Sequence, residues 1–281
     1  MQYTALMIDL VSSRKYDVET RNEIQRQLKQ AIDLLNQLYA PAIKFDVVFS
    51  AGDEVQGLFK STAAAILYHR SLCLMMSPNR FRAGIGVGTW TIQMPEGLST
   101  EQDGSSYHNA RKAIELTNIK RDASIQIIMD TNDDVALNVL INVASKIQKK
   151  QTIIQHAHVC LLEAIDPIFD ARLMRIEMMK EYRYHLIKHV FDSETIVNEQ
   201  NKIIDIQSLY AKQTSDIQGK PFTQHIKDYG LKKGVSFRMA EVTKTSRQNV
   251  EKILKSSNIE MIRELEVSAL CLLQSCFRET V

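Results

Sequence analysis

The stretch Phe49–Phe59, FSAGDEVQGLF, sets two adjacent acids, Asp53 and Glu54, directly behind a glycine and between two apolar runs. Acids are poor strand residues and costly to bury, so their natural place is a turn. KFDVVFS (Lys44–Ser50) and EVQGLF (Glu54–Phe59) then read as two short strands joined across Ala51–Gly52–Asp53, a hairpin with glycine in its turn. Outward from this hairpin the chain alternates element types. Before it, YTALMIDLV (Tyr3–Val11) reads as a strand covered on both faces. Asp17 is placed to cap a helix in which Ile24, Leu28, Ala31, Ile32, Leu35 and Leu38 recur at helical spacing, and Pro41 stops it. After the hairpin, STAAAILYHRSLCLMM is helical and closed by Pro78, RFRAGIGVGTWTIQM (Arg80–Met94) is a strand, SSYHNARKAIEL is a helix behind Gly104, and SIQIIMD is a last strand.

The order β-α-β-β-α-β-α-β indicates an α+β fold. Its first six elements predict a ferredoxin-like (βαββαβ) sheet, antiparallel, with helices on one face. GIGVG, Gly84–Gly88, lacks the GxGxxG spacing and begins inside a strand, so it is no dinucleotide loop. Alternate glycines there let another backbone or a ligand come close to the sheet. Beyond Asn132 strand signals vanish. The expected division is residues 1–131 as the α+β domain, 132–230 as a helical connector and 231–281 as an all-helical C-terminal domain, with Asp192–Gly230 the most polar part.

Composition excludes several classes. A hydrophobic content of 44% suffices for a core, and a net charge of +2 argues for no partner by itself. The four cysteines lie apart in apolar runs without a CxxC, so neither a disulfide framework nor a zinc site is expected. MQYTALMIDLV has no basic n-region and reads as a first strand, and no apolar run approaches a membrane span. The expectation is a cytoplasmic protein with no membrane partner.

Asp9 ends the first strand, which in this layout lies beside the hairpin, so the Asp9 and Asp53 carboxylates are expected to converge. Two carboxylates at strand ends form a hard oxygen site suited to Mg²⁺ or Mn²⁺ carrying a nucleoside triphosphate, and two such ions can activate a hydroxyl and stabilise leaving pyrophosphate. Ser12, Ser13 and Arg14 follow at once and offer hydroxyls, amides and a guanidinium to phosphates. Tyr107 is a candidate to stack on a base, although it shares a helical face with Ala110 and Ile114, as a core residue would. The plain reading of Asp53 alone is a turn former.

MAEVTKTSRQNVEKIL, Met239–Leu254, has the spacing of a helix-turn-helix. Ala240 permits a close crossing, Ser246 caps the second helix, and Val250 and Leu254 face inward. Arg247, Gln248, Asn249 and Lys252 are left for an exposed face, and these are side-chain types that read base edges. Between Leu231 and Asn258 seven Lys/Arg stand against two acids, a balance that favours double-stranded DNA. Lys244 occupies the turn position where glycine is usual, and an ordinary helical hairpin with a solvated basic face is the plainer reading.

MIDLVSSR, AGDEVQGLF, RFRAGIGVGTW and DGSSYHNARKAI occur in the order and spacing of the SatD family, which this chain resembles. That family is similar to the catalytic palm of class III nucleotidyl cyclases and, more distantly, to GGDEF domains. The resemblance covers residues 1–130 for the palm, and SatD-like organisation is expected to run on to the C-terminus. It implies Asp9 and Asp53 as metal ligands, Glu54 as a further candidate ligand, Gly52 as the hairpin glycine, Arg111 as the cation steadying a transferring phosphate, and a homodimer. The pattern departs from the cyclases at Tyr107, where an asparagine is usual, and at Phe49, where adenylyl cyclases carry a base-reading lysine. Asn109, two residues before Arg111, would point elsewhere. Two functions follow: a metal-dependent cyclase-like enzyme, or a nucleotide-sensing DNA-binding regulator without turnover.

Overall fold

In a computed structural model, which describes residues 1–119, 123–191 and 233–276, the first strand is β1, Tyr3–Leu10. Helix α1, Val18–Leu38, starts where the Asp17 carboxylate accepts the Thr20 amide at 2.8 Å. Strands β2, Ile43–Ala51, and β3, Glu54–Phe59, form the hairpin, with Gly52 at φ 61° in its turn. Helix α2, Thr62–Met75, strand β4, Phe81–Gly88, helix α3, Ser105–Ile119, and strand β5, Ile125–Ile128, complete a mixed α+β unit. The sheet order is β2-β3-β1-β4-β5. Strand β1 is antiparallel to both β3 and β4, and β5 lies parallel to β4. The first strand therefore does lie beside the hairpin.

Helices α1 and α2, the two helices of the first six elements, share one face as expected, and α3, the seventh element, takes the other. Helices α1 and α2 cover the face carrying Leu6, Ile8, Val55 and Ile85. Helix α3 covers the other, packing Tyr107, Ala110 and Ile114 on Ala5, Met7, Phe45 and Leu58. The cause is the glycine row of β4. A Cβ on Gly84 would lie 2.2 Å from the Ala110 carbonyl oxygen, and one on Gly86 2.1 Å from the Ala110 nitrogen. The close approach read from GIGVG is thus that of the α3 backbone. Strand β4 also stops at Gly88, short of Met94. Beyond it the Thr91 and Ile92 amides turn to the Asp103 carbonyl at 2.9 and 3.0 Å.

Asparagines seal both sheet edges. On α1, Asn36 accepts the Val47 amide at 3.1 Å and donates to the Val47 carbonyl at 3.0 Å, at a shift in the β2 register. On α4, Asp134–Gln148, Asn138 does the same for Ile127, at 2.7 Å both ways, and Asn142 donates to the Ile125 carbonyl at 2.8 Å. At these positions the edge N–H and C=O groups are not free to pair with another chain.

From residue 132 onward the described residues hold helices and no strand. They are α4, α5 (Ile153–Ile165), α6 (Met179–Phe191), α7 (Val235–Thr243), α8 (Arg247–Ser256) and α9 (Ile259–Cys276). Their apolar faces join those of α1 and α2 in one continuous cluster. A buried ion-pair network crosses it: Arg70 of α2 meets Glu163 of α5 at 2.7 Å and Glu266 of α9 at 2.8 Å. The polar stretch Asp192–Gly230, and with it part of the expected connector, lies outside the described residues, as does Lys232 of the basic segment. Among the described residues no helix is long and apolar enough to cross a membrane.

Candidate functional site

The β1–β4 register sets Asp9 opposite Arg82, while Glu54 opens the neighbouring strand β3. Four charged side chains thereby meet at one end of the sheet. Arg82 Nε donates to Asp9 Oδ2 at 2.8 Å, and its other nitrogens reach Asp9 again and Asn118 of α3. Arg111 of α3 forms a two-pronged pair with Glu54, 2.7 Å on each prong, and Ser50 Oγ adds a bond to the same carboxylate at 2.9 Å. Asp53 stands in the adjoining turn. Its Oδ2 is buried and has no hydrogen-bond partner.

The charges of these groups act on one another. The Asp9 carboxyl is raised above the ordinary carboxylate value, first by burial. Its Arg82 partner opposes that rise, while the charges of Asp53 and Glu54 add to it. Glu54 goes the other way, held down by the Arg111 hydrogen bonds against a smaller effect of burial. The Arg111 guanidinium is correspondingly raised by Glu54. Each committed arginine therefore takes one carboxylate, and Asp53 is left with an unanswered oxygen.

Among the described residues no three His, Cys, Asp or Glu side chains form a metal-ligating group. Of the expected trio, Glu54 is engaged by Arg111 and Ser50 and Asp9 by Arg82, while Asp53 keeps an oxygen without a partner. Mg²⁺ is held by one or two carboxylates when phosphates and waters supply the rest. The orphaned Asp53 oxygen fits such an ion.

The other expected residues fall as follows. Ser12 lies at φ 62°, in the left-handed region, and opens a short 3₁₀ turn, Ser13–Lys15, beside the end of β1. Ser12 and Arg14 are exposed. The first amides of such a turn have no partner within it. Gly52 is exposed at the hairpin tip, its carbonyl 3.4 Å from Gln25 Nε2. Tyr107 is 4% exposed and its hydroxyl shares a 3.0 Å hydrogen bond with Ser99, so it packs as a core residue at the wall of the depression beside Arg111, and not as a stacking platform. Asn109 turns away, bonding the Val87 carbonyl at 2.9 Å and Asp130 at 3.0 Å. An open depression of about 480 Å³ adjoins Arg111, lined in part by Met7, Gln56, His108 and Lys112. Arg82 was not among the expected site residues. Its signal is the strand register, which pairs it with Asp9.

In the C-terminal part α7 and α8 are joined through Lys244–Thr245–Ser246. Lys244 takes φ 54° where glycine would be usual. The Ser246 hydroxyl accepts the Asn249 amide at 3.2 Å, and Val250 and Leu254 are buried. Arg247, Gln248, Asn249 and Lys252 are exposed, with Arg247 paired to Glu251 at 2.7 Å.

A family model described as the SatD family matches residues 3–179, which takes in the whole sheet together with α4 and α5 and ends at the start of α6. No curated protein matches the chain.

Proposed function

The chain belongs to the SatD family, and from that premise we propose that its sheet domain is a cyclase-like palm that binds a metal–nucleoside triphosphate as a signal, and that α7 and α8 form a DNA-reading helix-turn-helix. The observation that carries the first half is the buried, unpartnered Asp53 oxygen beside Asp9. Asp9 and Asp53 would hold the ion, which neutralises phosphate charge. The Ser12–Arg14 turn faces the phosphates, and the depression beside Arg111 has the size of a small-ligand site.

Sensing is favoured over turnover by what surrounds the acids. Arg111, the cation a transferring phosphate would need, is committed to Glu54. Phe49 packs against the core where adenylyl cyclases carry a lysine. The second reading, a metal-dependent cyclase, keeps its footing in Arg111, which lies within reach of the same acids.

Calorimetric titration of the full chain with each nucleoside triphosphate in Mn²⁺ tests the site. Saturable binding that Asp53→Asn reduces at least tenfold is expected, without pyrophosphate release. Steady release, abolished by Asp9→Ala, would move the protein to the cyclase reading, and no binding at all would end both. For the second half, a duplex DNA shift at low salt should fall with salt, and Arg247→Ala with Lys252→Ala should lower the salt slope by about 2. A two-fold dimer belongs to this reading, since helix-turn-helix proteins present paired recognition helices.

A further inference from the structure

A second cavity, of about 450 Å³, shares no lining residue with the depression beside Arg111 and lies at the seam between the sheet unit and the C-terminal helices. Its walls come from six elements: Ile66 of α2, Phe81 of β4, Ile125 of β5, Ile141 of α4, Ile153 of α5 and Leu270 of α9. Its size falls within the range of small-molecule sites, roughly 300–1,000 Å³. Polar side chains such as Asn79, Ser124 and Gln148 interrupt the apolar walls, and the charges are uneven. Glu266 is turned onto Arg70 at 2.8 Å, and buried His69 is held neutral, its pKa pushed down to about 4 by burial. Arg80 and Lys149, both exposed, put two cations at the rim.

We propose that this cavity binds an amphipathic carboxylate, its alkyl or other apolar body between Ile141, Leu270 and Phe81 and its anionic head at Arg80. The occupant touches both the sheet strands and α9, so it braces the C-terminal helices against the sheet. Such a ligand would act on the DNA-reading end independently of the acidic cluster.

Decanoate is the probe, with 1-decanol as the neutral control, titrated calorimetrically into the full chain. One decanoate per chain is expected, bound at least tenfold more tightly than decanol. Affinity should rise about fourfold per added CH₂ from hexanoate until the cavity is full, and bound decanoate should raise the melting temperature. Ile141→Trp, which fills the cavity, should abolish binding. Arg80→Glu, at an exposed position that leaves the fold intact, should weaken decanoate at least tenfold and leave decanol unchanged. Absence of saturable decanoate binding, or binding that survives Ile141→Trp, overturns the site. Equal affinities for decanoate and decanol, or indifference to Arg80→Glu, overturn the anionic head.

Discussion

Asp9 shows how one residue is placed between two demands. Burial and the nearby Asp53 and Glu54 charges raise its pKa, and Arg82 only partly restores the ionised form. A carboxyl whose folded pKa lies above the unfolded value binds its proton more tightly in the native state. The stability this gives is fully present below the unfolded pKa, about 3.9, and is lost as pH rises through the folded value. At neutral pH ionised Asp9 is therefore a cost that binding a cation would relieve. Asp9→Asn keeps an oxygen for Arg82 and removes the charge. Its urea midpoint at pH 7 should equal or exceed that of the parent, with a flatter pH dependence above pH 4, while metal–triphosphate binding is lost. A lower midpoint would mean that the Arg82 pair outweighs the burial. Glu54 shows the opposite sign, because Arg111 grips it from two sides. Carbon-detected NMR titration of Arg111→Ala should find the Glu54 pKa moved up towards the ordinary carboxylate value.

At the scale of elements, the fold depends on what the faces of β4 and β5 meet. Gly86 lies under the α3 backbone so closely that a methyl group cannot enter without lifting the helix. Gly86→Ala should cost about 1–3 kcal/mol in urea denaturation and loosen the Arg111–Glu54 pair that α3 carries. Asn138 is a different device, one amide filling both backbone groups of Ile127 at the sheet edge. Asn138→Ala leaves these unsatisfied and should cost about 1–3 kcal/mol, with faster amide exchange at Ile127 as its local sign. These two cases mark what the sequence makes legible. The alternation Gly84–Gly86–Gly88 announces a close approach, since only a side-chain-free face permits one. It does not say that a helix from the following segment makes the approach, so the one-face layout of α1 and α2 can be foreseen and the place of α3 on the opposite face cannot. Asn138 and Asn142 look like ordinary polar positions of an amphipathic helix, because their partners are the backbone of a strand. Asp9 and the hairpin acid can be foreseen as neighbours from strand order. Arg82 cannot, because its role depends on a register that becomes visible only when β1 and β4 are paired.

Across the whole molecule the question is what makes the sheet and the C-terminal helices one body. One apolar cluster spans them, yet apolar contact is tolerant of sliding, whereas the Arg70 network is not. Arg70 is 9% exposed, Glu163 3% and Glu266 12%, and each comes from a different helix. Burial works against the Arg70 charge, but Glu163 and Glu266 hold its pKa well above the ordinary value. Gln148 of α4 adds a bond to Glu266 at 3.1 Å, and Arg263 of α9 reaches the Asp166 carbonyl behind α5 at 2.7 Å. Removing the one cation strands two buried carboxylates, so Arg70→Ala should cost about 3–5 kcal/mol. Replacing Arg70, Glu163 and Glu266 together by Met, Leu and Leu should cost far less, because the desolvation of all three charges disappears with them. The loss in Arg70→Ala falls on the docking of α9. Trp90, the single tryptophan, packs edge-on against Phe45 and Tyr3 in the sheet unit and reports that unit alone. In the parent protein its fluorescence transition in urea should coincide with the loss of helical circular dichroism, as one cooperative body requires. In Arg70→Ala the helical signal should fall first, leaving the tryptophan transition at higher urea. Coincident transitions in the variant would show that the apolar cluster alone couples the two ends, and that the ion-pair network sets only the strength of the whole.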